Sequence, residues 1–84
     1  MTYELVWSDK SRRYLARLDA CMQSRIIGKA ESIRGDPFRH VSRLVASGLY
    51  SLRIGDYRAI MAIDRGRLVI FVIEIGHRRG VYGE

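Results

Sequence analysis

The first residues of the chain alternate between the two faces that a half-buried β-strand presents. Tyr3, Leu5 and Trp7 share one face of residues 2–7, whereas Glu4 lies on the other. Such an alternation is typical of a strand with one side packed on a core. The sequence therefore predicts a first strand over residues 2–7.

Two helical patterns follow this strand. Ser8 and Asp19 are residues of the type that caps helices, and each precedes apolar positions spaced three and four apart. The apolar positions are Tyr14, Leu15 and Leu18 in the first helix and Met22, Ile26, Ile27, Ala30 and Ile33 in the second. The segment Gly35-Asp36-Pro37 ends the second helix because proline cannot continue it. A helical hairpin is predicted, followed by a loop over residues 38–48 with a short extended piece near residues 41–44.

The remaining sequence has the pattern of three strands, predicted over residues 49–54, 57–63 and 68–75. Gly55-Asp56 and Arg65-Gly66 are signals for two-residue hairpin turns, which join antiparallel strands. The predicted fold is α+β with the order β-α-α-β-β-β, in which a helical hairpin packs on a mainly antiparallel four-stranded sheet. We expect a single domain over residues 1–84.

Composition narrows the class of protein. The chain of 84 residues has no run of about 20 apolar residues, so no membrane span is expected. Its single cysteine, Cys21, excludes an internal disulfide, which favours a reducing compartment and hence the cytoplasm. An inert thiol in the core is the interpretation of Cys21. His40, His77 and Cys21 do not have the spacing of a zinc site, so we expect no metal.

The charge of the chain favours a polyanionic partner. The formal net charge is +6, and of 15 basic residues only Lys10 and Lys29 are lysines, which leaves thirteen arginines. A guanidinium binds phosphate in two places, which lysine does not do. A solvated basic surface and a codon bias toward arginine are the two alternatives.

Two of the arginines are predicted to lie side by side. A two-residue turn at Gly55-Asp56 pairs Arg53 with Arg58 on one face of the sheet. Two like charges in direct opposition are unfavourable by up to about 1 kcal/mol, and an anionic ligand would offset that cost. Pairing with carboxylates at a sheet edge is the alternative. A second two-residue turn places Arg58 beside Ile73, so that Arg78, which follows the last strand, is expected near the pair.

Three guanidinium groups around one point would bind a phosphate and stabilise the extra negative charge of a pentacoordinate transition state. Such a site needs no metal.

Three motifs carry a resemblance to a known family: LYSLRIGDYR at residues 49–58, IEIGHR at residues 73–78 and VY at residues 81–82. Together with DPF at residues 36–38, they resemble the RelE toxin family of type II toxin–antitoxin systems, and the similarity covers nearly the whole chain. The resemblance implies a RelE-like fold and a ribosome-dependent endoribonuclease that cuts messenger RNA and so inhibits translation. It also implies a RelB-like antitoxin partner and no cofactor.

The resemblance also assigns roles to residues of this chain. It implies four catalytic residues, which are Arg53, Arg58, Arg78 and Tyr82, and three substrate-binding residues, which are Ser51, His77 and Arg79. For Tyr82, two roles are open: stacking on a base or moving a proton. His77 has a hydrogen-bonding spacer as its alternative role. Ser51 departs from the pattern because many such ribonucleases carry a basic residue there.

Two other functions are compatible with the same fold. One is a ParE-like toxin that inhibits DNA gyrase by binding it, and the other is an antitoxin-binding protein with weakened catalysis. The presence of Arg78 and Tyr82 favours the ribonuclease over the gyrase inhibitor. Ser51 is the feature that favours weakened catalysis.

Overall fold

Two helices and a five-stranded sheet make up residues 2–77, the part of the chain that the computed structural model describes. In chain order, the elements are β1 (Glu4–Trp7), α1 (Asp9–Ala16), α2 (Ala20–Ser32), a 3-10 helix (Pro37–Arg39), β2 (Ser42–Arg43), β3 (Tyr50–Ile54), β4 (Tyr57–Asp64) and β5 (Val69–His77). The predicted α+β order is confirmed. The sheet has five strands rather than four because Ser42 and Arg43, in the predicted loop, pair with β3.

The strand order β1-β5-β4-β3-β2 places the first and last strands of the chain side by side. β1 runs parallel to β5, with Leu5 opposite Ile70, and the other neighbours are antiparallel. A parallel pair needs a long connection over one face of the sheet, and the helical hairpin is part of that connection. One face of the sheet is therefore covered by helices, and we call it the helical face.

The core lies between the helices and the helical face. Its buried members come from both layers, and they are Tyr3, Leu15, Ile26, Ile33, Leu52, Ile54, Ala59, Met61, Ile70, Val72 and Ile75. Leu5 and Trp7 pack against them, as the alternation of the first strand predicts. No helix among residues 2–77 is long and apolar enough to cross a membrane.

Two expectations about the second helix are wrong. Ile26, Ala30 and Ile33 form one buried row toward the sheet, but Ile27 is 40% exposed because it lies beside that row. Cys21 is exposed and not part of the core. The row that contacts the sheet is narrower than the apolar stripe in the sequence.

Both predicted helix caps are confirmed. The Ser8 hydroxyl accepts a hydrogen bond from the Ser11 amide at 3.0 Å, and Asp19 Oδ1 accepts one from the Met22 amide at 2.8 Å. The Ser8 hydroxyl also donates to the carbonyl of Ile73 in β5 at 2.6 Å. Ser8 therefore ties the start of α1 to the sheet, whereas Asp19 only caps its helix.

Replacing Ser8 by alanine is expected to destabilise the protein more than replacing Asp19 by alanine. Loss of a cap costs about 1 kcal/mol, and Ser8→Ala also removes the bond to Ile73, for a total of about 2 kcal/mol. Urea unfolding of both variants measures the difference. Equal losses of unfolding free energy would show that the bond between α1 and β5 adds nothing.

The second hairpin differs from its prediction. Asp64 pairs with Val69, so residues 65–68 form a four-residue loop instead of a two-residue turn. The Asp64 carboxylate accepts a hydrogen bond from the Arg67 amide at 3.0 Å, and Leu68 adopts a positive φ of 57°. The Asp64 carboxylate stabilises the wider turn, whereas the left-handed backbone of Leu68 is itself unfavourable for a residue other than glycine.

A β-bulge in the same strand pair shifts the register again. Met61 pairs with Val72 and Ile60 with Glu74, so Ile73 is the extra residue on β5. As a result, Arg58 lies opposite Gly76 and not beside Ile73 as predicted. Because of the bulge, Ile75 lies on the helical face, where it is 3% exposed.

Candidate nucleic-acid interface

Arg53 and Arg58 lie directly opposite each other, as the sequence predicts. β3 and β4 pair in the register set by the turn at Gly55-Asp56, where Gly55 takes a positive φ of 59°. Alternation places both arginines on the face away from the helices, since their neighbours Leu52 and Ala59 are buried in the core. We call this the open face. Arg53 is exposed and Arg58 is half-buried.

Arg53 belongs to neither of the ion pairs found among residues 2–77. Those pairs join Lys10 to Glu74 at 3.4 Å and Arg34 to Glu31 at 2.8 Å. The alternative in which Arg53 is neutralised by a carboxylate at the sheet edge is therefore not what the structure shows. An exposed guanidinium beside a second one is an arrangement suited to an anion.

Ser51 shares the open face with the arginine pair. It precedes Arg53 by two positions, pairs with Ile60 on β4 and with Ser42 on β2, and is only 7% exposed. Its hydroxyl can donate or accept a hydrogen bond but carries no charge. The open face thus has two basic residues on β3 and β4, and a serine where the resemblance favours a third.

His77 lies on the other face of the sheet from the arginine pair. It is directly opposite Tyr57, whose ring centroid is 5.6 Å from that of His77 at an angle of 76°. Tyr57 in turn contacts Tyr14 of α1 in an edge-to-face arrangement at 6.4 Å. The histidine is exposed at the end of this row of rings, which the predicted register did not suggest.

Three of the predicted site residues, Arg78, Arg79 and Tyr82, lie outside the described residues. Gly76, two positions before Arg78, is opposite Arg58 on the open face. Their assignment to the site stays a prediction.

One charged residue near the site, Arg25, was missed by sequence reasoning, whereas Glu74 was considered as one of the carboxylates that could pair with the arginines. A Cβ built on Gly55 would lie 3.6 Å from Nη2 of Arg25, so the Arg25 guanidinium rests against the turn that carries the arginine pair. Glu74 reaches the open face because of the bulge, where its carboxylate pairs with Lys10. Arg25 and Lys29 are the two basic residues of α2, and no sequence signal distinguishes Arg25 from Lys29.

Within residues 2–77, no three histidine, cysteine or carboxylate side chains gather as a metal site requires. Around the β3–β4 turn, which contains the Asp56 carboxylate, the structure places Arg25, Arg53 and Arg58. Guanidinium groups bind phosphate without a bound ion.

A helical hairpin on one face of a sheet and opposed arginines on the other define a small basic domain whose charge suits an anionic partner. The sequence model of the family described as the ParE toxin of the type II toxin–antitoxin system parDE matches residues 3–82. The chain belongs to this family, within the RelE/ParE superfamily. No curated protein matches the sequence significantly.

Solved structures show the same fold. The chain is similar to a protein in the RelBE2 toxin–antitoxin complex of Mycobacterium tuberculosis, with 23% identity, a TM-score of 0.85, and coverage of 93% of this chain and 100% of the other. A protein in the archaeal RelE–RelB complex of Pyrococcus horikoshii has 25% identity, a TM-score of 0.80, and coverage of 93% and 97%. A YoeB/ParE toxin of Agrobacterium tumefaciens has 23% identity, a TM-score of 0.73, and coverage of 88% and 96%. The RelE-like fold is confirmed.

Proposed function

We propose that this type II toxin is an endoribonuclease that cuts messenger RNA on the ribosome. The observation that carries the proposal is the direct opposition of Arg53 and Arg58 on the open face, next to the β3–β4 turn. Two guanidinium groups opposite each other on one face of the sheet would attract an anion such as a phosphate. The bond cut in RNA carries a phosphate, which gains negative charge as it reacts.

The proposed reaction is an attack of RNA on itself. The 2′-oxygen forms a bond to the neighbouring phosphorus while the bond from phosphorus to the 5′-oxygen breaks, and the products are a 2′,3′-cyclic phosphate and a 5′-hydroxyl. The proton lost from the 2′-hydroxyl and the proton gained by the leaving oxygen balance. Arg53, Arg58 and Arg78 would stabilise the charge of the pentacoordinate phosphate, and Tyr82 would stack on a base or move a proton.

The reaction is tested with programmed ribosomes. The chain is added to ribosomes carrying a defined messenger, and primer extension maps the new 5′ ends. A messenger with a single 2′-deoxy nucleotide at the mapped position is the matched control, because it lacks the attacking oxygen. We expect cleavage of the first messenger and none of the second at that position.

An acidic antitoxin is the partner that this proposal requires, because a cell that makes the toxin must neutralise it. Several similar structures are named as RelB–RelE antitoxin–toxin complexes, including one from Methanococcus jannaschii. We propose a RelB-like antitoxin, encoded by a neighbouring gene, that folds on contact with this basic surface. Expression of the chain with and without that gene tests it, since equal growth would argue against both toxicity and neutralisation.

A gyrase inhibitor is the second candidate, and the match to the ParE family favours it. In that function, the arginine pair would bind an acidic surface of gyrase and no RNA bond would be cut. A DNA supercoiling assay separates the two candidates. Inhibition of supercoiling by the chain, together with intact messenger on ribosomes, would establish the gyrase inhibitor.

Ser51→Lys is expected to raise messenger cleavage about tenfold, because it adds a positive charge two positions from Arg53 on the open face. Ser47→Lys, in the exposed loop before β3, is the control for the added charge itself. The measurement is the cleavage rate on programmed ribosomes. A rate unchanged by Ser51→Lys would show that serine at this position does not weaken the site.

A further inference from the structure

We propose that the helical side of the β3–β4 turn binds one nucleotide of RNA, with Arg25 on its phosphate and the exposed ring of His77 against its base. The inference rests on the proposed function, in which the open face binds the scissile phosphate. It adds a second contact on the opposite face of the same end of the sheet. RNA held at the arginine pair would then pass around the turn.

The phosphate contact is argued from the position of Arg25. Its guanidinium lies 3.6–3.9 Å from the position that a Cβ of Gly55 would occupy, which is van der Waals distance, so the side chain lies beside the backbone of the turn. Arg25 is exposed and belongs to neither ion pair of residues 2–77. An exposed guanidinium that lies against a turn is suited to a phosphate.

The base contact is argued from the row of rings that ends at His77. Tyr14 supports Tyr57, and Tyr57 supports His77, through edge-to-face contacts at 6.4 and 5.6 Å. A ring placed by its neighbours loses little freedom when a base stacks on it. Stacking on aromatic and histidine side chains is a common way in which proteins bind single-stranded RNA.

The two contacts lie at one end of the sheet. Gly55, beside Arg25, is two positions before Tyr57, and His77 is directly opposite Tyr57 on β5. Arg53 is two positions before Gly55 on the other face. One short RNA segment is therefore able to contact the arginine pair, the turn and the ring in sequence.

The test is the binding of a short single-stranded RNA of mixed sequence to the full chain, measured by fluorescence anisotropy over a series of salt concentrations. His77→Ala is expected to weaken binding at least about fivefold, the lower limit for one stacked base, whereas His77→Phe keeps the ring and the affinity. Arg25→Gln is expected to reduce the slope of log K against log salt by about 0.7, the value for one lost phosphate contact on a single strand.

Arg67→Gln is the matched control, because it removes the same charge from the loop at the other end of β4 and β5. It is expected to leave both affinity and slope unchanged. Equal weakening by His77→Phe and His77→Ala, or a wild-type slope in Arg25→Gln, would overturn the inference.

A second readout uses the two histidines of the chain. On addition of the RNA, the ring protons of His77 should shift in NMR spectra while those of His40 should not. His40 directly follows the 3-10 helix, which lies near the β4–β5 loop at the other end of the sheet from His77. Phe38 of that helix contacts Arg65 of the loop, with 4.4 Å between the Arg65 Cζ and the ring centroid. Shifts at His40 alone would contradict the proposed location.

The experiments separate the inference from the proposed function. If the chain binds RNA with the expected losses but leaves the messenger on ribosomes intact, the ribonuclease proposal fails and the nucleotide site stands. If the chain cuts the messenger and the Arg25 and His77 variants bind RNA as the wild type does, only the inference fails.

Discussion

Replacing Arg58 by alanine is expected to slow messenger cleavage on ribosomes by about 100- to 1000-fold, the usual effect of removing one group that stabilises transition-state charge. Arg58 is the central member of the proposed site because it lies on β4, directly opposite Arg53 on one side and Gly76 on the other. Its half-buried position keeps water from screening the charge as fully as at an exposed site. The rate is measured by primer extension with ribosomes in excess over messenger.

The control for Arg58→Ala is Arg67→Ala, which removes an arginine from the opposite end of the same strand pair. β4 has eight residues, so the two ends are about 23 Å apart. Arg67→Ala is expected to cut at the wild-type rate. Cleavage by Arg58→Ala at the wild-type rate, in a chain whose thermal unfolding is unchanged, would mean that the site lies elsewhere.

The arginine pair could be predicted from the sequence because its cause is local. A two-residue turn determines which residues of the two adjoining strands face each other, and Gly55-Asp56 is a strong signal for such a turn. Arg53 and Arg58 each lie two residues from that turn, so no irregularity of the strands between the turn and the pair can shift the predicted register. The register of β3 and β4 is confirmed over its whole length.

The second hairpin shows where this kind of prediction fails. The difference between a two-residue turn and the observed four-residue loop is a shift of two residues, which leaves every side chain on its predicted face. Ile70 and Val72 are therefore in the core as predicted. The bulge at Ile73 adds a shift of one residue, which exchanges the faces for the rest of β5. For this reason Glu74 is on the open face and His77 on the helical face.

The residue that binds the backbone at the bulge lies far away in the sequence. The Ser8 hydroxyl and amide bind the carbonyls of Ile73 and Val72, at 2.6 and 2.9 Å, where α1 begins beside β5. A pattern read along residues 68–77 contains no information about this contact. The same holds for Arg25, which reaches Gly55 only because α2 packs across the sheet.

Whether this chain is a ribonuclease or a gyrase inhibitor depends on the chemistry of its surface and not on its fold. In the proposal, both candidate functions would use the arginine pair, and proteins named RelE and YoeB/ParE share the architecture of this chain. The opposed arginines would attract a phosphate in one function and a carboxylate in the other. The ribonuclease is distinguished from the gyrase inhibitor by a loss of RNA cleavage, and not only of binding, when a single guanidinium is removed.

The largest expected effect on stability is that of Ile26→Ala, which should lower the unfolding free energy by about 2–5 kcal/mol. Ile26 is fully buried in the row where α2 meets the sheet, and a chain of 84 residues has a small core with few neighbours to fill the resulting cavity. In a domain of this size, 1 kcal/mol corresponds to about 4–8 °C in Tm, so the variant should unfold at least about 8 °C below the wild type. Urea and thermal unfolding measure the loss.

The adjacent Ile27 supplies the matched control, since Ile27→Ala makes the same chemical change one position along the same helix. Ile27 is 40% exposed, so truncation removes little buried surface, and the alanine improves the helix propensity of α2. We expect a change of less than about 1 kcal/mol, the range for substitutions outside the core. Equal losses for the two variants would mean that α2 is rotated about its axis from the position described, and Arg25 would then no longer contact the turn at Gly55.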